Sequence, residues 1–91
     1  MLTGKPSAAD IRQGVHRAIA EIVTRSGRPV PAFGDDDLLV DTGLASLDLA
    51  ALIARLERVW RVDPFLEAVA ITEIRTVGDL CRAYQDFIDA A

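Results

Sequence analysis

A chain of 91 residues, 51% apolar and 26% charged, can build one small globular core and is too short for two. Its formal net charge of −4 argues against a nucleic-acid partner, and its single cysteine, Cys81, excludes an internal disulfide, which suits a reducing, cytoplasmic setting. No apolar run reaches the roughly 20 residues of a membrane span, and the first ten residues (MLTGKPSAAD) lack a signal-peptide core. Residues 1–91 therefore read as a single domain with a flexible lead at 1–6, and the Met1 start is expected of a chain that stands alone.

The first helix is expected to begin near Ser7, where Ser7 and Asp10 have the spacing of a capping box. Ile11, Val15, Ala18, Ile19, Ile22 and Val23 follow at helical spacing, and Gly27 supplies a left-handed stop. Residues 28–45 break both helix and strand patterns through Pro29, Pro31, Gly34 and the run Asp35-Asp36-Asp37. Val30, Phe33, Leu38, Leu39, Val40 and Leu44 give this long connection apolar anchors, so it is expected to be ordered against the core.

A second helix is expected from Ser46 to Trp60, with Leu49, Leu52, Ile53, Leu56, Val59 and Trp60 on its apolar side, Leu47 at its start and Asp63-Pro64 as its stop. A short third helix falls within 66–73. In the last helix Thr76 and Asp79 repeat the capping-box spacing, and Val77, Leu80, Cys81, Tyr84, Phe87 and Ile88 form the stripe. The expected architecture is all-α: a small four-helix bundle with a long ordered loop between the first and second helices and a short third helix.

Charge is unevenly placed. Residues 1–31 carry five basic and two acidic side chains, whereas 32–50 carry Asp35, Asp36, Asp37, Asp41 and Asp48 with no basic residue. A basic protein surface would be drawn to that acidic stretch and a phosphate backbone repelled from it. Catalytic constellations are missing: His16 reads as a surface histidine, Cys81 as a small core residue, and Asp35-Asp36-Asp37 lacks EF-hand spacing and reads as a solvated turn. No metal-ligand spacing, phosphate loop or nucleophile elbow is present, so the chain is not expected to be an enzyme.

Ser46, within Thr42-Gly43-Leu44-Ala45-Ser46-Leu47-Asp48-Leu49, has two readings. As an N-cap its hydroxyl would accept a backbone N–H for about 1 kcal/mol, with Asp48 favourable to the helix dipole. As a functional residue it would hold a phosphate ester where unpaired N–H groups and the positive dipole end meet.

The acidic Asp-Asp-Leu-Leu stretch before Gly43-Leu44-Ala45-Ser46-Leu47, in register with Thr76-Val77-Gly78-Asp79-Leu80, resembles the acyl carrier protein family over nearly the whole chain. That resemblance implies a 4′-phosphopantetheine arm, taken from coenzyme A by a phosphopantetheinyl transferase and attached to Ser46. The arm's thiol would carry an acyl or aminoacyl group as a thioester, and Cys81 would take no part. The resemblance further implies a monomer whose partners are the transferase and acyl-loading and acyl-processing enzymes, with neither nucleic acid nor membrane. The partner-facing residues would be Asp41, Leu44, Leu47 and Asp48 at the start of the second helix, and Ala51, Arg55, Glu57 and Arg58 along it.

Two departures stand out. Ala45 occupies the position where the family has an aspartate associated with transferase recognition. Residues 46–60 carry no net charge, Asp48 and Glu57 being offset by Arg55 and Arg58, whereas fatty-acid carriers have an acidic second helix. A carrier for a specialised pathway, polyketide or peptide, fits that surface better. Ala50 and Ala54 would either leave room for cargo between helices or allow close packing. The competing reading is an unmodified module on the same fold, with Ser46 as a cap only.

Overall fold

The structure is a computed structural model and describes residues 6–61 and 74–90. Helix α1 spans Ala8–Arg25, α2 spans Ser46–Trp60 and α3 spans Val77–Ala90, with one 3-10 turn at Leu39–Thr42. These described residues contain three helices and no strand, only an isolated bridge between Leu38 and Thr76. The short helix expected within 66–73 and the Asp63-Pro64 stop lie outside the described residues.

Helix α1 starts and stops as its sequence dictates. Asp10 N–H donates to Ser7 Oγ at 3.1 Å and Ser7 N–H returns to Asp10 Oδ2 at 3.0 Å, a complete capping box. At the other end Gly27 turns left-handed at φ 82°, its N–H reaching Thr24 O and the N–H of Arg28 reaching Val23 O. This paired closure satisfies carbonyls that the helix would otherwise leave bare. Helix α1 packs against both α2 and α3. Its stripe of Ile11, Val15, Ala18, Ile19 and Val23 is buried against Leu52 and Leu56 of α2 and Val77, Leu80, Ala83, Tyr84 and Ile88 of α3. Trp60 closes the α2 end of this core by tilting against Tyr84, ring centres 5.2 Å apart. Cys81 is only half-buried at the edge of the core, yet burial still pushes its thiol up to about 11, so it stays protonated and unreactive.

The connection between α1 and α2 is ordered, but by fewer apolar anchors than expected. Leu39 and Leu44 are buried and Phe33 packs against the core, while Val30, Leu38 and Val40 remain exposed. Backbone hydrogen bonds tie the segment to residues 75–78 as well. Asp35 O accepts from Gly78 N–H at 2.7 Å, Asp37 O from Val77 N–H at 3.0 Å, and Arg75 O from Leu39 N–H at 2.9 Å.

Side chains complete the latch and correct two expectations. Asp35 accepts from Arg12 Nε and meets His16 Nε2, each at 2.8 Å, and His16 stacks on Phe33 with ring centres 5.0 Å apart. His16 is therefore part-buried and engaged, not a surface residue, because Phe33 folds back over it. Asp37 caps Gly34 N–H at 2.7 Å, so of the three aspartates Asp35 and Asp37 hold the loop. Hydrogen bonds to His16 and Arg12 keep the Asp35 carboxyl below the usual range against the opposing effect of its burial.

Candidate functional site

The chain has three serines, and each lies at a helix end. Ser7 uses its hydroxyl to cap α1, and Ser26 donates its own to Ile22 O at 3.1 Å at the negative end of that helix. Ser46 is the first helical residue of α2. This corrects its expected place as N-cap: the cap position belongs to Ala45, extended at φ −85°, ψ 166°, which offers no side-chain acceptor.

The turn that delivers Ser46 is set by the preceding residues. Thr42 is fully buried and donates its hydroxyl to Leu39 O at 2.6 Å, closing the 3-10 turn on itself. Gly43 then adopts φ 94°, and a Cβ there would lie 3.0 Å from Val23 Cγ1, so glycine is required on both backbone and packing grounds. Leu44 plugs into the core, and Ala45 leads into the helix.

Asp48 supplies half a capping box from inside the first turn. Its Oδ2 accepts the Ala45 N–H at 2.9 Å, while its own N–H reaches Ala45 O at 2.9 Å. Arg28 reaches across from the end of α1, donating Nε to Gly43 O at 3.0 Å and Nη2 to Asp48 Oδ2. The Ala45 N–H and then Arg28 hold the Asp48 carboxyl below the usual carboxylate range. The arginine offsets the charge that Asp48 brings to the start of α2. No local pattern in the sequence points to Arg28, which lies 15 positions from Gly43. Only the three-dimensional turn brings it there.

Beside this turn lies a small apolar hollow of about 100 Å³ lined by Leu39, Val40, Leu44, Ala45 and Leu49. Leu47 and Val40, 85% and 74% exposed, flank the helix start. Val40 was expected to be an anchor and is instead a surface residue. Of the residues expected to face partners, Asp41, Leu47, Ala51, Glu57 and Arg58 are exposed. Leu44 is a correction, being 8% exposed because its side chain fills the core below the turn. Asp48 is tied to Arg28 and Arg55 to Glu21, so neither stands open. Ala50 and Ala54 are exposed, so neither makes room in the buried interior, although Ala54 borders an open depression between α1 and α2. Among the described residues no group of His, Cys, Asp or Glu could hold a metal ion, and no helix is long and apolar enough to cross a membrane.

The fold has a counterpart among solved structures. The chain is similar to MacpD from Pseudomonas fluorescens, an acyl carrier protein involved in mupirocin biosynthesis, whose solution structure it matches with a TM-score of 0.77 at 47% identity. The match covers 85% of this chain and 69% of that one. No family model matches the chain, and no curated protein sequence matches it.

Proposed function

This chain belongs to the acyl carrier protein family and is a carrier, not an enzyme, and we propose that it holds its cargo on a 4′-phosphopantetheine arm attached to Ser46. The observation that carries the proposal is the start of α2. Ser46 is the one serine at the first position of a helix, behind a cap residue without an acceptor. A phosphodiester there would meet first-turn N–H groups and the positive dipole end. Arg28 keeps the Asp48 carboxylate paired, so the site does not repel an anion as a bare aspartate would. The apolar hollow beside Ala45 suits the hydrocarbon part of such an arm. When bound, the arm supplies a terminal thiol that carries an acyl or aminoacyl group as a thioester.

The remaining parts of this reading follow from the same turn. A phosphopantetheinyl transferase would seat on Asp41, Val40 and Leu47, and acyl-loading and acyl-processing enzymes on the exposed face of α2. The zero net charge of α2 and the likeness to a carrier of mupirocin biosynthesis support a specialised pathway. A short helix within 66–73 would complete a four-helix bundle, and the carrier would work as a cytoplasmic monomer.

The test is intact mass after incubation with coenzyme A and a promiscuous phosphopantetheinyl transferase. A gain of one phosphopantetheine that disappears in Ser46→Ala supports the assignment. A folded chain that gains nothing would instead be an unmodified interaction module, with Ala45 the trace of a lost modification.

A further inference from the structure

Along the side of the molecule where α1 and α2 run together, an open depression of about 640 Å³ has a floor of Ile22, Ala51, Ala54 and Val59 and walls of Arg25 and Arg58. It continues toward Arg17, Glu21 and Arg55. Arg17, Glu21 and Arg25 succeed one another at four-residue spacing on one face of α1, and Arg55 and Arg58 lie one turn apart on α2. The groove thus holds four arginines and one glutamate. Glu21 is already committed, because it pairs with Arg55 across the groove. Arg17, Arg25 and Arg58 have no ion pair among the described residues. Three arginines without an ion pair among the described residues thus stand beside an apolar floor on which Val59 is 61% exposed.

We propose that this groove docks an acidic segment of a partner protein, with carboxylates reaching Arg17, Arg25 and Arg58 and an apolar side chain on Val59 and Ile22. The proposal rests on the carrier reading, since it names the chemistry of the surface that a loading or processing enzyme presents to α2. It places the partner's charge as acidic, opposite to the basic patch expected for carriers with an acidic second helix. A protein segment is favoured over nucleic acid because the floor between the arginines is apolar, and a sugar-phosphate backbone offers it nothing. The acidic loop around Asp36 and Asp41 would also repel a long polyanion.

The experiment follows amide resonances of the full, isotope-labelled chain during titration with an amphipathic helical peptide bearing glutamates on one face and leucines on the next. Shifts should concentrate at Ile22, Arg25, Ala51, Ala54, Arg58 and Val59 and weaken as salt is raised. Arg25→Glu with Arg58→Glu should lower the apparent affinity about tenfold or more, and Arg25→Gln with Arg58→Gln by less. Both side chains are exposed, so the fold should survive either pair. The absence of shifts at low salt would overturn the proposal. So would equal binding of a peptide with lysines for the glutamates, or equal shifts of the same residues by a single-stranded oligonucleotide. Pantetheine loading without peptide binding would remove this surface alone, whereas peptide binding without loading would keep the surface and remove the carrier role.

Discussion

The starts of α2 and α3 are built from similar short polar sequences and end in opposite states. At α3, Thr76 Oγ1 accepts the Asp79 N–H at 3.0 Å, and Asp79 returns to the N–H groups of Thr76 and Arg75 at 3.1 Å each. Loop carbonyls of Asp37 and Asp35 cover Val77 and Gly78, so the whole first turn is spoken for. At α2 the cap is Ala45, only the Asp48 half of the box is made, and the neighbouring side chains Leu47 and Val40 face solvent. A fully satisfied helix start is a structural joint, here the one that latches the long loop. A half-satisfied one retains hydrogen-bonding capacity and dipole field that an external anion can use. The comparison separates Thr76, which holds the fold, from Ser46, for which we propose modification.

The largest effect on this contrast should come from Gly43→Ala, which removes the turn that presents α2. A side chain at φ 94° costs roughly 1–2 kcal/mol from the backbone alone, and its Cβ would also crowd Val23. Urea unfolding followed by Trp60 fluorescence should show a lowered midpoint with an unchanged slope, and an unshifted midpoint would mean that the turn is not held as described. Thr76→Ala should cost about 1 kcal/mol by removing the cap of α3, again read as the urea midpoint.

Ala45→Ser should do the reverse and stabilise by up to about 1 kcal/mol, because it supplies the missing acceptor. Thermal melting would detect the gain, and a loss would show that α2 has no vacant cap. Comparing Ala45→Ser with Ala45→Asp separates two effects. If the family's aspartate serves the transferase, both variants stabilise but only the aspartate speeds loading. The smallest effect concerns acid. Asp79, Asp48 and Asp35 are all held below the ordinary carboxylate value, chiefly by N–H donors at the first two and by His16 at the third. The folded chain therefore binds fewer protons than the unfolded one, so their stabilisation is complete above about pH 4 and lost as pH falls through the depressed values. Asp79→Asn should flatten that acid slope in stability against pH, and an unchanged slope would place the acid sensitivity elsewhere.

The α2 and α3 boundaries were legible because they are written locally: Ser46–Trp60 in the spacing of leucines, and the α3 start in Thr76 and Asp79. The same holds for the Ser7 box and the Gly27 stop. Contacts that cross the chain were not legible. Nothing near His16 announces Asp35 or Phe33, and nothing near Arg28 announces Asp48, because those partners meet only once the loop has folded back over α1. The loop is legible only in part, since apolar residues mark where a chain can be anchored but not which of them the turn at Leu39–Thr42 rotates outward. Ser46 was found through its motif, yet its offset of one position from the cap depends on Ala45 being extended, which composition does not reveal.

The most direct test of the central claim is fragmentation mass spectrometry of the loaded chain, which assigns the added group to one of three serines. Ser46 alone should carry it, with Ser7 and Ser26 unmodified even at long incubation. A group found on Ser7 or Ser26, or spread among the three, would contradict the account, because it would mean that the half-capped start of α2 is not what selects the attachment site.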